Sequence, residues 1–197
     1  MAPKNAASFP DLLEHIQVVR DIQSSPALLQ AIEMGIEICI HAFLHGGKLL
    51  LCGNGGSAAD SQHLATELTV CYTTDRQALP AIALTTDTST LTAAGNDYGY
   101  DSVFSRQVEA LGRPGDILIG FSTSGRSNNV LAAIETALER DMKVVFFGGG
   151  DGGAIGPIST VSILAPSTTT ARIQEMHILI GHIFCGQIER RLGLVSA

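Results

Sequence analysis

Two side chains that can move protons or hold a metal, His63 and Glu67, stand four residues apart in the stretch LLLCGNGGSAADSQHLATEL, Leu49 to Leu68. Helical positions four apart project from one face, so this imidazole and carboxylate can share one ion or one proton-transfer site. A surface salt link accounts for the same spacing. Near the other end of the chain, ARIQEMHILIGHIFCGQIERRL carries Gln174, Glu175, His177 and His182 on an otherwise apolar helical pattern. His177 and His182 are five apart and point in different directions, and a lone histidine on such a helix is ordinarily a satisfied core residue. Gln174 and His182 lie on similar sides but eight residues apart, about 12 Å along a helix axis. One copy of that helix wraps both around a single ion only if its backbone bends. The spacing therefore predicts that a site using both draws on more than one subunit.

A second kind of chemistry is written in two small-residue loops. A phosphate needs several N–H and O–H donors converging on it, and close approach of the backbone calls for glycine or another small residue. Asn54, Gly55, Gly56 and Ser57 meet that description and open a helix, whose N-terminus adds partial positive charge. Ser122, Thr123, Ser124 and Ser127 supply four hydroxyls around Gly125. Tight strand-to-helix turns use the same residues, but two such loops in one chain favour anion binding. Neither loop has a lysine and GxxxxGK[ST] is absent, so a monophosphate ester fits better than a nucleoside triphosphate. Gly53, Gly55 and Ala58 satisfy the loose dinucleotide pattern, but Asp75, the nearest acid for a ribose, precedes the next apolar run. A nicotinamide cofactor is not expected. GGGDGG, Gly148 to Gly153, has no hydroxyl and reads as a flexible turn.

These residues need elements to hold them. PDLLEHIQVVRDIQS, from Pro10, reads as an amphipathic helix, and Pro26 opens a second helical stretch that ends near Gly46 and Gly47; both precede the first strand and can cover a sheet or make a subunit contact. From Lys48 short apolar runs alternate with helices: KLLLCG, PAIALTT with a helix near Asp87, DILIGFS with a helix from Ser127, KVVFFG, and TVSILAP before the long final helix. That alternation predicts an α/β fold, a five-stranded parallel sheet with helices on both faces in a three-layer α/β/α sandwich. Open sheets of this kind bind ligands at the carboxyl ends of their strands. No linker divides residues 1–197, so one domain is expected, with 1–47 as the leading helices and 48–197 as sheet and site.

Composition narrows the function classes. Charged residues are 16% of the 197, well below the roughly 25% of an average globular protein, while 45% are hydrophobic. So little charge suggests surface buried by self-association. A net charge of −7, no basic cluster, 5% aromatics and no tryptophan argue against a nucleic-acid partner. Cys39, Cys52, Cys71 and Cys185 form no CxxC pair and suit reduced thiols in a cytosol. MAPKNAASF is too polar for a secretion signal, and no uninterrupted apolar run reaches the roughly 18 residues of a membrane span. A soluble, cytoplasmic protein is expected.

NGGSAADSQH with Glu67, the run ALTTDTSTLTAAGNDYGY, the loop STSGRS and the segment ARIQEMHILIGH, in that order, resemble the phosphoheptose isomerases of the sugar isomerase (SIS) domain superfamily. The likeness covers nearly the whole chain from Lys48. It implies a flavodoxin-like SIS domain that interconverts sedoheptulose 7-phosphate and D-glycero-D-manno-heptose 7-phosphate, the first step toward nucleotide-activated heptose for lipopolysaccharide. It further implies substrate contacts at Asn54, Gly55, Gly56, Glu67, Asn96, Asp97 and Gln174, and phosphate held by Ser122, Thr123, Ser124 and Ser127. A zinc site at His63, Glu67, Gln174 and His182 is implied, in a homotetramer whose active sites lie between subunits. Ketose–aldose chemistry then assigns Glu67 as the base at carbon and His182 as its acid/base partner near the oxygens. LTVCYTT departs from the family's usual LTGRY-like continuation, so an arginine expected near the site's rim is missing, and FFGGGDGGAIG is richer in glycine than its counterpart. A non-catalytic relative that binds the replication initiator DnaA is the alternative; such proteins tend to carry asparagine where this chain has His182.

Overall fold

In a computed structural model that describes residues 9–195, the chain forms one five-stranded, wholly parallel sheet in the order β2-β1-β3-β4-β5. The MAPKNAAS segment, judged unlike a secretion signal, lies outside the described residues. The strands are β1 (Leu49–Gly53), β2 (Ala81–Ala83), β3 (Ile117–Phe121), β4 (Lys143–Gly149) and β5 (Val161–Ala165). β1 and β3 are buried at every position, which is why their sequences are continuous apolar runs rather than alternations. Strand order reverses between β1 and β3, the switch point at which an open sheet leaves a crevice outside its carboxyl edge.

Seven α-helices cover the two faces: α1 (Pro10–Gln23), α2 (Pro26–Leu44), α3 (Gly56–Thr69), α4 (Thr88–Tyr98), α5 (Ser105–Leu111), α6 (Asn128–Glu139) and α7 (Thr170–Arg191). One apolar cluster joins α2, α3 and α7 to Leu49, Leu51, Ile119 and Phe147; the other joins α4, α5 and α6 to Leu50, Leu118, Val144 and Phe146. Successive strand residues thus feed opposite cores, giving the three layers expected. The stretch after β2, read as one helix near Asp87, is two. Asp87 caps α4 through Oδ1, which accepts from Thr90 N, and Gly99 at φ +87° then breaks the helix before a short 3-10 turn and α5.

By length and composition alone α2 is apolar enough to cross a bilayer. Here it is a core element. Ile32, Ile36, Cys39 and Ile40 are buried, and on its outer side Glu33 and Glu37 pair with Arg191 of α7.

His177 is wholly buried between Phe121 and Phe147, as expected of a core histidine. Its Nε2 donates to the Gly148 carbonyl at 3.0 Å and its Nδ1 has no partner. Burial pushes its pKa down to about 4, against the single favourable hydrogen bond. Between its ordinary 6.5 and that value the unfolded chain takes up a proton that the folded chain refuses, so stability falls as pH drops through this window. Urea unfolding should show His177 contributing a loss of about 3 kcal/mol between pH 6.5 and pH 4. His177→Gln should flatten that part of the profile; an equally steep profile in the variant would show that other groups cause the acid loss.

Candidate active site

The first small-residue loop leaves the carboxyl end of β1. Gly53, Asn54 and Gly55 lead into α3, and Gly55 at φ +58° occupies a conformation that a side chain would disfavour. The hydroxyl loop leaves β3, the neighbouring strand, and Gly53 stands opposite Phe121 in the ladder. Both loops therefore emerge on one edge at the same level. Their side chains meet: Asn54 and Asn129, at the start of α6, exchange two amide hydrogen bonds of 2.8 Å, and the Tyr100 hydroxyl donates to Asn54 Oδ1.

Within the hydroxyl loop, Ser122 Oγ and Ser127 Oγ are 2.9 Å apart. Thr123 and Ser124 line an open pocket of about 440 Å³ with Arg126, Gly149, Gly150, Asp151, Ser167 and Thr170. GGGDGG, expected to be a free flexible turn, is built into this wall. The Gly125 carbonyl accepts from Ala154 N and Ile155 N, and a Cβ on Gly125, at φ +64°, would lie 2.0 Å from the Gly152 carbonyl oxygen. Glycine is required on both sides because two backbones touch.

α3 and α7 deliver the titratable groups. His63 Nε2 is 2.8 Å from His182 Nε2 and 3.4 Å from Glu67 Oε1, so one ligand atom from each of the three lies within 4.8 Å of the others. The approach depends on the residues next to the two histidines. A Cβ on Gly181 would sit 2.5 Å from Leu64 Cδ1, so the absence of a side chain at 181 leaves room for Leu64 where α7 meets α3. Tetrahedral zinc with bonds of about 2.0–2.1 Å to nitrogen and oxygen sets its ligands roughly 3.4 Å apart; the His63–Glu67 spacing matches this, and the 2.8 Å histidine pair would open by about half an ångström to take such an ion.

Gln174 stands apart from this trio. Its Nε2 donates to Asp60 Oδ1 at 2.7 Å, and its side chain packs over Gly56, where a Cβ would meet it at 3.5 Å. Gln174 and His182 both lie on the continuous helix α7, eight residues apart. Asn96 donates to Asp97 Oδ1, both are exposed at the end of α4, and Asp97 lines a different hollow between α4 and α5. Of the GNDYGY residues it is Tyr100 that reaches the first loop.

The sequence of the SIS domain family matches residues 14–149. A phosphoheptose isomerase of Shewanella loihica is 52% identical over 174 residues, covering 87% of this chain and 88% of that protein. This chain belongs to the phosphoheptose isomerases of the SIS domain family. Solved phosphoheptose isomerases agree in fold: that of Neisseria gonorrhoeae has a TM-score of 0.86 at 46% identity, covering 92% of this chain and 96% of its own. That of Francisella tularensis reaches 0.87 at 40%, covering 92% and 95%.

Sequence reasoning missed two residues that join the site's elements. Asn129, 3% exposed, was hidden in an ordinary polar helix start, although its place just after Ser127 puts it beside the loop. Asp60, 4% exposed, stands one helical turn before His63, a spacing that could have flagged it. Burial raises its pKa, while the hydrogen bond from Gln174 and the nearness of His63 lower it; its Oδ2 has no partner.

Gly125→Ala should weaken binding of inorganic phosphate roughly ten-fold and cost about 1–3 kcal/mol of stability through strain and overlap. Calorimetric titration and thermal unfolding measure the two. Unchanged phosphate affinity would remove the hydroxyl loop as the anion site.

Proposed function

We propose that this enzyme interconverts sedoheptulose 7-phosphate and D-glycero-D-manno-heptose 7-phosphate by proton transfer through an enediol. The observation that carries the reading is the meeting of Glu67 and His182 where α3 and α7 pack, in a chain whose two anion-type loops emerge side by side at one strand edge. Ser122, Thr123, Ser124 and Ser127 hold the phosphate, with Asn54, Gly55, Gly56, Asn96, Asp97 and Gln174 along the sugar.

Glu67 removes the proton from C1 of the ketose, and the released pair forms the C1–C2 double bond as the C2 carbonyl oxygen takes a proton from His182. For the return, His182 takes the O1 proton and Glu67 delivers its proton to C2, leaving a carbonyl at C1. One carboxylate on one face of a planar enediol suffices. Glu67 Oε1 faces His63, which leaves Oε2 for carbon. His63 Nε2 lies 2.8 Å from His182 Nε2, so the two imidazoles and Glu67 converge on one point.

His63, Glu67 and His182 would hold zinc, with Gln174 Oε1 as a fourth donor, and a bound zinc would polarise the carbonyl oxygen as a Lewis acid. Since Gln174 and His182 are separated along α7, completion of the set by a second subunit fits the family's implied homotetramer. Support comes from exposed apolar side chains at Phe9, Leu12, Leu13 and Ile16 along α1 and at Leu179 and Ile183 beside His182. A cytoplasmic place at the start of heptose supply for lipopolysaccharide suits four free cysteines, three of them buried.

Turnover of sedoheptulose 7-phosphate by purified protein tests the reading. Glu67→Gln and His182→Asn should each lower kcat by about 10²–10⁴-fold. A chelator should reduce turnover and added zinc restore it. A folded parent with neither zinc nor turnover would shift the reading to the DnaA-binding relative, and full activity in both variants would remove the two roles while leaving the family intact.

A further inference from the structure

The segment directly after Glu67, where the sequence departs from its family, is organised around a buried ion pair. Arg76 Nε donates to Glu189 Oε1 at 2.8 Å, and the two side chains are 1% and 0% exposed. Arg76 spends its remaining donors on carbonyls: Nη2 to Glu67 O and Nη1 to Leu68 O, both at 2.7 Å, with Val70 O and Gln77 O beyond. The last carbonyls of a helix have no partner within it, and this guanidinium supplies partners at the very turn that carries Glu67. Glu189, on α7, uses its other contacts on the same segment, accepting from Tyr72 N at 2.9 Å and from the Thr73 hydroxyl at 3.3 Å.

That grip fixes Tyr72 against the second catalytic side chain. The Tyr72 ring stacks on the His182 imidazole, centroids 5.5 Å apart and planes 25° apart. Space for the ring is made one helical turn after His182, where a Cβ on Gly186 would meet Tyr72 Cε1 at 3.2 Å. Burying an ion pair brings little net stability, because desolvating both charges offsets their attraction. What this pair does bring is geometry, since a planar fork with fixed donor directions defines where each carbonyl must be.

We propose that Arg76, Glu189 and Tyr72 are positioning residues for proton transfer: the ion pair holds Glu67 through its backbone carbonyl and His182 through the Tyr72 ring. The inference rests on the catalytic roles given above to Glu67 and His182. The ring, not the hydroxyl, is the working part of Tyr72.

The experiment compares Tyr72→Phe, Tyr72→Leu and Arg76→Lys with the parent protein, by steady-state kinetics on sedoheptulose 7-phosphate and by NMR of 13C-labelled histidine. Tyr72→Leu should lose roughly 10- to 100-fold in kcat with KM within about two-fold, since misplacing a catalytic group slows chemistry without loosening the substrate. Tyr72→Phe should stay near parent, and Arg76→Lys should lose kcat like Tyr72→Leu. The His182 ring signal should move in Tyr72→Leu and hold in Tyr72→Phe. Parent-like kcat in Tyr72→Leu, equal losses in Tyr72→Leu and Tyr72→Phe, or a change confined to KM would overturn the proposal. If the parent itself does not turn over the sugar, the catalytic reading fails separately; the NMR arm then decides whether the clamp orients His182, and an unmoved signal in Tyr72→Leu or Arg76→Lys overturns that too. Thermal unfolding of each variant identifies a fold lost rather than a group misplaced, and Tyr72, being half-buried, is the site at which that loss is least expected.

Discussion

A single contact between a glycine and a leucine lies where the two histidine-bearing helices meet. Gly181 lies against Leu64, and each is the sequence neighbour of a histidine, so the closeness of α3 and α7 is passed directly to His63 and His182. A larger residue at 181 would press on the Leu64 side chain, which would have to shift or let the helices part. The same closeness brings Gln174 to Asp60 one end of the contact away. Packing the two helices and placing their histidines are here one geometric problem.

The two anion-type loops meet a parallel requirement by different means. β1 and β3 pair in register, so the loops start level, and the reciprocal amides of Asn54 and Asn129 hold them side by side. On the far side, the hydroxyl loop leans on the glycine turn after β4. The sheet supplies position, and polar contacts across the crevice supply shape.

Much of this was legible because it is local. Five apolar runs, small-residue turns and helix periodicity specify strands, loops and helices without knowledge of partners, and the spacing of His63 and Glu67 puts them on one face wherever the helix goes. What was not legible is long-range. Nothing in LTVCYTTDR announces that Arg76 will turn back to cap α3 or that Glu189, 113 positions on, will meet it. GGGDGG looked free because its restraint comes from Gly125, in another loop. Asn96 and Asp97 were read from resemblance alone; within one chain both are exposed at the end of α4, and Asp97 lines a hollow between α4 and α5. The break at Gly99 was missed since a lone glycine inside a helical pattern is often tolerated.

The backbone lock between Gly125 and the Gly152 turn has a thermodynamic consequence. A loop already held in its binding shape surrenders little conformational entropy when an anion arrives, so more of the interaction energy appears as affinity. It also limits how far the hydroxyls of that loop can spread, because its backbone is held against the turn after β4.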